Sequence, residues 1–151
     1  MAKKVKKTHR KDKKHLPHTF FHEWGVLPMR LAIGIVFVMH GIQKMMMGMA
    51  EVSGFFVSAG LPSSQVLAVL VTAIEFVGGL CILLGLFTRW AALVLAVDMI
   101  IAFVFVHVSN GFFVGNGGFE FVLVLFLVNV GLFFHGAGIW SLERTLTGKE
   151  L

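Results

Sequence analysis

Two carboxylates stand in the middle of apolar stretches of this 151-residue sequence. Glu75 lies within the stretch 65–87, and Asp98 lies within the stretch 90–108. Ionisable residues inside a membrane-spanning segment are costly and mark functional sites by default. Because the turn at Thr88-Arg89 lies midway between them, a hairpin would bring both carboxylates to a similar depth.

Basic side chains that could meet these carboxylates lie on or beside one face of the first apolar stretch. Arg30 and Lys44 lie on a face defined by alternating spacings of four and three residues, and His40 lies beside it. His40 and Glu75 are therefore the predicted catalytic residues, which would exchange a proton within the membrane. The predicted ligand-binding residues are Arg30, Lys44, Arg89, Asp98 and Glu120.

The ionisable residues could pair with one another inside the membrane. Glu120 begins the last apolar stretch at the same surface as Lys44, which favours an ion pair between them. The same ionisable groups could instead form a satisfied buried network that only sets helix register.

His40, His107 and His135 are expected at different depths, which argues against a haem held by two histidines. No metal site is predicted, since Cys81 is the only cysteine and no ligand set is complete.

The composition identifies the class of protein that positions these residues. The chain is 57% hydrophobic and 14% charged, whereas a soluble domain is ~25% charged. A disordered chain is excluded, and a membrane protein is indicated. Each apolar stretch is near the ~20 residues that a helix needs to cross a bilayer. We therefore predict an all-α, antiparallel, four-helix integral membrane bundle over residues 19–145, with spans at about 27–47, 65–87, 90–108 and 119–140.

The net charge of +5 is concentrated at the N-terminus. Residues 1–18 contain eight lysines and arginines against Asp12, which predicts a disordered cytoplasmic tail attracted to anionic lipid at ~1 kcal/mol per basic residue. Nucleic-acid binding is the less favoured interpretation. The distribution of lysine and arginine among the loops predicts that both termini are cytoplasmic, with a short C-terminal segment at 146–151. The expected location is the plasma membrane, as a multi-pass protein.

The run RLAIGIVFVMHGIQK at 30–44 resembles the first-helix motif of the DoxX family of small four-helix membrane proteins. Further pieces resemble the family in the same order, from about residue 27 to residue 142. They are GFF at 54–56, GLP at 60–62, EFVGG at 75–79, LLGLFTRWAA at 83–92, GGFE at 117–120 and GAGIWSL at 136–142. The basic tail lies outside the resemblance, and Asp98 is not a residue of the family pattern.

The resemblance implies a link to membrane oxidoreductases, since the family takes its name from a subunit of a thiosulfate–quinone oxidoreductase. We expect a subunit of a membrane oxidoreductase complex that binds a quinone or a small polar or anionic ligand, without a covalently bound cofactor. Other membrane or soluble subunits, or a second copy of the chain, are the expected partners. Two alternatives stay open, a small-solute or proton-coupled transporter or channel and a scaffold without chemistry. Whether the chain is an enzyme by itself also stays open.

Overall fold

Every secondary-structure element in the described part of the chain is helical. The computed structural model describes residues 18–138 and 140–148, without the side chains of 18–23 and 147. The all-α prediction is confirmed for these residues. The predicted tail 1–18, apart from its last residue, and residues 149–151 lie outside them. The α-helices are α1 (His18–Met47), α2 (Met49–Ser58), α3 (Gln65–Leu84), α4 (Thr88–Ala102), α5 (Glu120–His135) and α6 (Leu142–Thr147).

The four longest helices pack into a closed bundle. α1 packs on α3, α3 on α4, α4 on α5, and α5 returns to α1. Three helical segments are long and apolar enough to cross a membrane, at Trp24–Met47, Gln65–Leu84 and Thr88–Asn110. α5 is apolar but has 16 residues, about 24 Å at the rise of an α-helix. The fourth predicted span therefore ends earlier than residue 140. The antiparallel order and the cytoplasmic termini stay predictions.

Polar and apolar side chains are distributed as a bilayer requires. Large apolar side chains face outward, among them Val66 at 78% exposure and Trp90 at 62%. Buried side chains include apolar ones such as Phe37 and Leu95, together with polar ones. The buried polar residues that concern the site or the helix packing are Arg30, Thr72, Glu75, Thr88, Asp98 and Asn129.

Glycines bring α1 and α3 into close contact. A Cβ added at Gly41 would lie 2.6 Å from the Cβ of Phe76, and one at Gly34 would lie 2.8 Å from the Cβ of Leu83. Small residues at a membrane helix interface allow such an approach. Lys44 lies one turn after Gly41, and Glu75 precedes Phe76, so the same approach brings their side chains together.

The short helix α2 connects α1 to the turn that precedes α3. Val52 and Phe56 are buried and pack against Ala68 of α3. Gly48 and Gly60, on either side of the helix, have φ values of 90° and 82°, which suit a residue without a Cβ. α2 therefore folds back over α3 and forms part of a cavity wall.

Candidate intramembrane ligand site

A cavity of about 550 Å³ lies between α1, α2, α3, α4 and α5. Its volume falls within the ~300–1,000 Å³ of typical small-molecule sites. Most of its wall is apolar, with side chains such as Phe37, Val52 and Leu125. The ionisable and amide side chains in the wall are His40, Gln43, Lys44, Glu75, Asp98 and His107.

An ion pair joins α1 to α3 at this cavity. The ammonium group of Lys44 contacts the carboxylate of Glu75, and their side chains are 19% and 6% exposed. The pair that the sequence favoured, Lys44 with Glu120, is therefore wrong. Glycine contacts bring α1 close to α3. This approach places Lys44 beside Glu75 rather than beside a residue of α5.

Asp98 and His40 complete the charged part of the cavity. Asp98 is 9% exposed and interacts electrostatically with Glu75 and Lys44. His40 is half-buried and interacts with the same two residues. In the cavity wall, one lysine thus faces two carboxylates. The structure brings together four of the seven predicted site residues.

Two cavity residues were missed by the sequence argument. Gln43 and His107 both line the cavity, although His107 was expected at a different depth from His40. α4 continues into a π-helix, Phe103–His107, and π-bulges often occur at functional sites. The ring Nδ1 of His107 lies 2.7 Å from the carbonyl oxygen of Gly117. No composition signal marks a π-helix, so this placement required the structure.

Arg30 and Arg89 are not among the residues that line the cavity. Arg30, 1% exposed, donates to the carbonyl oxygens of Ile82, Leu83 and Ala137 at 3.0, 3.1 and 2.8 Å. The predicted grouping of Arg30 with the carboxylates is therefore wrong. A guanidinium group here is stabilised by the negative end of the α3 dipole and by carbonyl oxygens of its last turn.

Arg89 binds carbonyl oxygens at the C-terminal end of α5 in a similar way. Its Nη1 donates to the carbonyl oxygens of Phe133 and Phe134, both at 2.9 Å. These carbonyls belong to the last turn of α5, where a cation is stabilised by the helix dipole. The grouping of Arg89 with the intramembrane carboxylates is wrong for the same reason as that of Arg30.

Glu120 also lies outside the cavity wall. Its Oε1 accepts a hydrogen bond from the backbone N–H of Val114 at 2.6 Å. Val114 does line the cavity, so Glu120 holds a wall segment in place. A direct ligand-binding role for Glu120, as for Arg30 and Arg89, stays a prediction without a geometric basis.

Within residues 18–138 and 140–148, no group of three or more His, Cys, Asp or Glu side chains is arranged to hold a metal ion. The cavity instead offers hydrogen-bonding groups at the edge of an apolar space. Such a site suits an organic ligand with a polar head and an apolar body.

Comparison with known proteins places the chain in a family. The DoxX family model matches residues 25–108. A Bacillus subtilis protein named "Putative oxidoreductase CatD" is 36% identical over 110 residues, which cover 73% of this chain and 79% of that protein. An uncharacterized Mycobacterium tuberculosis membrane protein is 36% identical over 135 residues, 83% of each chain.

An uncharacterized Haemophilus influenzae protein is 36% identical over 125 residues, which cover 80% of this chain and 90% of that protein. No solved structure matches the chain. The family match covers the first, second and third apolar stretches and includes His40, Lys44, Glu75 and Asp98. The resemblance seen in the sequence motifs is thereby confirmed. This chain is a membrane protein of the DoxX family.

Proposed function

We propose that this protein is a membrane subunit of an oxidoreductase assembly and that its intramembrane cavity binds the head group of a quinone. The observation that carries the proposal is the Lys44–Glu75 ion pair in the wall of a cavity of about 550 Å³. Ligand sites combine apolar walls with a few placed polar groups, as this one does. A quinone needs both, because its ring and tail are apolar and its two oxygens are hydrogen-bond acceptors.

The polar residues fit this ligand by their chemistry. The ammonium group of Lys44 carries three donors, so pairing with Glu75 leaves it able to donate to a ligand oxygen. His40 interacts with both members of the pair and exchanges protons at physiological pH more readily than other side chains. Lys44 would orient the head group, and His40 and Glu75 would move a proton to or from it.

The electrons must come from outside the described cavity residues, none of which is a redox group. Cys81 is the only cysteine and does not line the cavity. A partner subunit or a soluble electron donor would therefore complete the assembly. The Bacillus subtilis relative is named a putative oxidoreductase, which supports this class of assembly over a scaffold without chemistry.

The remaining parts of the proposal concern placement in the cell. We infer an antiparallel bundle in the plasma membrane, with both termini in the cytoplasm, because lysines and arginines concentrate in the segments assigned to that side. The basic residues of the first 18 positions would attract anionic lipid. A second copy of the chain remains a candidate partner.

Binding to purified protein in lipid nanodiscs tests the proposal. A short-tailed benzoquinone should bind saturably, and Lys44→Met should weaken its binding at least about tenfold if one charge-assisted hydrogen bond is lost. Met46→Leu is the matched control, because Met46 lies on the same helix and is 83% exposed. Absence of saturable binding would refute the quinone site. Flux of protons or a solute through liposomes that contain the protein alone would favour a transporter instead.

A further inference from the structure

The hydrogen bond of His107 determines which ring nitrogen remains available to a ligand. A carbonyl oxygen has no hydrogen, so the contact of 2.7 Å with Gly117 requires that Nδ1 donates. In the neutral imidazole the other nitrogen, Nε2, then carries no hydrogen and can only accept. Because His107 lines the cavity, the neutral ring has an acceptor, Nε2, to offer a ligand there.

Asp98 offers a second acceptor. It is 9% exposed and lines the cavity, and no hydrogen bond to its carboxyl group occurs within the part of the chain that the structure describes. A carboxyl group keeps an accepting oxygen whether it is ionised or protonated. Buried polar groups in proteins nearly always have a hydrogen-bond partner. A ligand in the cavity is the candidate partner.

The two acceptors lie on one continuous helical stretch. Asp98 and His107 are the polar cavity residues that α4 and its π-helical continuation contribute. His107 comes nine positions after Asp98, a rise of at most roughly 14 Å along the helix axis. Acceptors on different turns of one helical stretch suit a ring that carries a hydrogen-bond donor at each end.

The other polar groups of the cavity do not serve as partners of Asp98. Lys44 pairs with Glu75 and keeps further donors for a ligand, and His40 interacts with both of them. Gln43 offers both a donor and an acceptor. No donor among these residues is hydrogen-bonded to Asp98 in the described structure.

We infer that the ligand of this cavity donates hydrogen bonds to Asp98 and to Nε2 of His107. For the quinone site of the proposed function, on which this inference rests, the form held most tightly is the hydroquinone. A hydroquinone has two hydroxyl donors at opposite ends of its ring. A quinone has two acceptors at the same positions and leaves Asp98 and His107 without partners.

Three probes with the same short tail test the inference on the full-length protein in nanodiscs. They are a benzoquinone, its hydroquinone kept reduced under anaerobic conditions, and the dimethyl ether of that hydroquinone. The ether has the same ring and tail but no hydroxyl donor. We expect the hydroquinone to bind at least about tenfold more tightly than either of the others, since each unmade buried hydrogen bond costs about this factor.

Variants assign the preference to the two residues. Asp98→Leu and His107→Phe should each reduce the preference for hydroquinone over its ether about tenfold. Asp98→Asn keeps an accepting oxygen and should retain the preference. Val97→Leu is the matched control, because Val97 adjoins Asp98 but is 50% exposed on the outer surface.

The wild-type comparison alone decides the inference if a variant does not fold. Equal binding of hydroquinone and ether would overturn the inference while leaving a quinone-type site in place. A preference that survives both Asp98→Leu and His107→Phe would overturn the assignment of these residues. Binding of none of the three probes would refute the proposed function, and with it this inference.

Discussion

Lys44 and Glu75 form an ion pair between α1 and α3, with Glu75 only 6% exposed. The pair connects the helix packing to the cavity, because Gly41 lies one turn before Lys44 and packs against Phe76, the residue after Glu75. The same contact therefore contributes to the stability of the bundle and to the chemistry of the candidate site.

Removing one partner of this pair should destabilise the protein more than removing both. Breaking a buried pair costs about 3–5 kcal/mol, and the 19% exposure of Lys44 favours the lower end of that range. We expect Lys44→Met and Glu75→Gln each to lower the free energy of unfolding by about 3 kcal/mol. The double variant should recover part of the loss, as measured by a double-mutant cycle in detergent. Strictly additive losses would contradict a direct pair.

Gly41→Ala should disturb the contact between α1 and α3. The added Cβ would lie 2.6 Å from the Cβ and 2.9 Å from the Cα of Phe76, so the helices must separate. We expect a loss of about 1–3 kcal/mol in stability, as for other overpacked interiors. Weaker ligand binding should accompany it as Lys44 moves away from Glu75. Gly131→Ala is the control, since nothing lies within 4 Å of its added Cβ, and equal effects at both glycines would refute the close-contact argument.

Arg30→Lys should lower the stability of the protein without weakening ligand binding. A lysine cannot reproduce the planar fork that donates to the carbonyl oxygens of Ile82, Leu83 and Ala137. We expect the free energy of unfolding to fall by about 2–4 kcal/mol, because hydrogen bonds donated by a charged group are lost. Quinone affinity of the folded fraction should stay within about twofold, since Arg30 does not line the cavity. Weaker quinone binding at unchanged stability would instead show that Arg30 takes part in ligand binding.

Glu120 should act through its accepting oxygen rather than through its charge. Glu120→Gln keeps an acceptor for the N–H of Val114 and should bind ligand nearly as the wild type does. Glu120→Ala loses the acceptor, and we expect ligand to dissociate several-fold faster because the wall segment at Val114 is less well held. Stopped-flow measurement of dissociation rates distinguishes the two variants. Equal acceleration in both would show that the negative charge matters.

Deleting residues 1–14 should leave the bundle inserted and folded, because every helix that the structure describes lies outside this segment. Attraction of the full chain to vesicles of anionic lipid should exceed that of the shortened chain. The difference should shrink at high salt, since screening acts within ~8 Å at physiological ionic strength. Cosedimentation at two salt concentrations measures this, with vesicles of neutral lipid as the control. Unfolding of the shortened protein would contradict the prediction.

The sequence alone indicated the helical class and most of the membrane-spanning segments. Hydropathy is summed along the chain, so the membrane helices at 24–47, 65–84 and 88–110 follow from composition without knowledge of their neighbours. The burial of Glu75 and Asp98 was predictable for a similar reason. A carboxylate within a membrane-spanning helix is more stable when it faces other helices than when it faces lipid. The family resemblance likewise required only ordered motifs.

Only the tertiary structure decided which groups meet. Lys44 could pair with Glu75 or Glu120, and helix periodicity does not distinguish partners on different helices, because their separation depends on how closely the helices approach. Arg30 and Arg89 donate to carbonyl oxygens at the ends of α3 and α5 rather than to carboxylates, and which helix end lies beside each arginine depends on the tertiary structure. His107 entered the cavity wall through a π-helix, a local change of winding that the spacing of apolar residues does not encode.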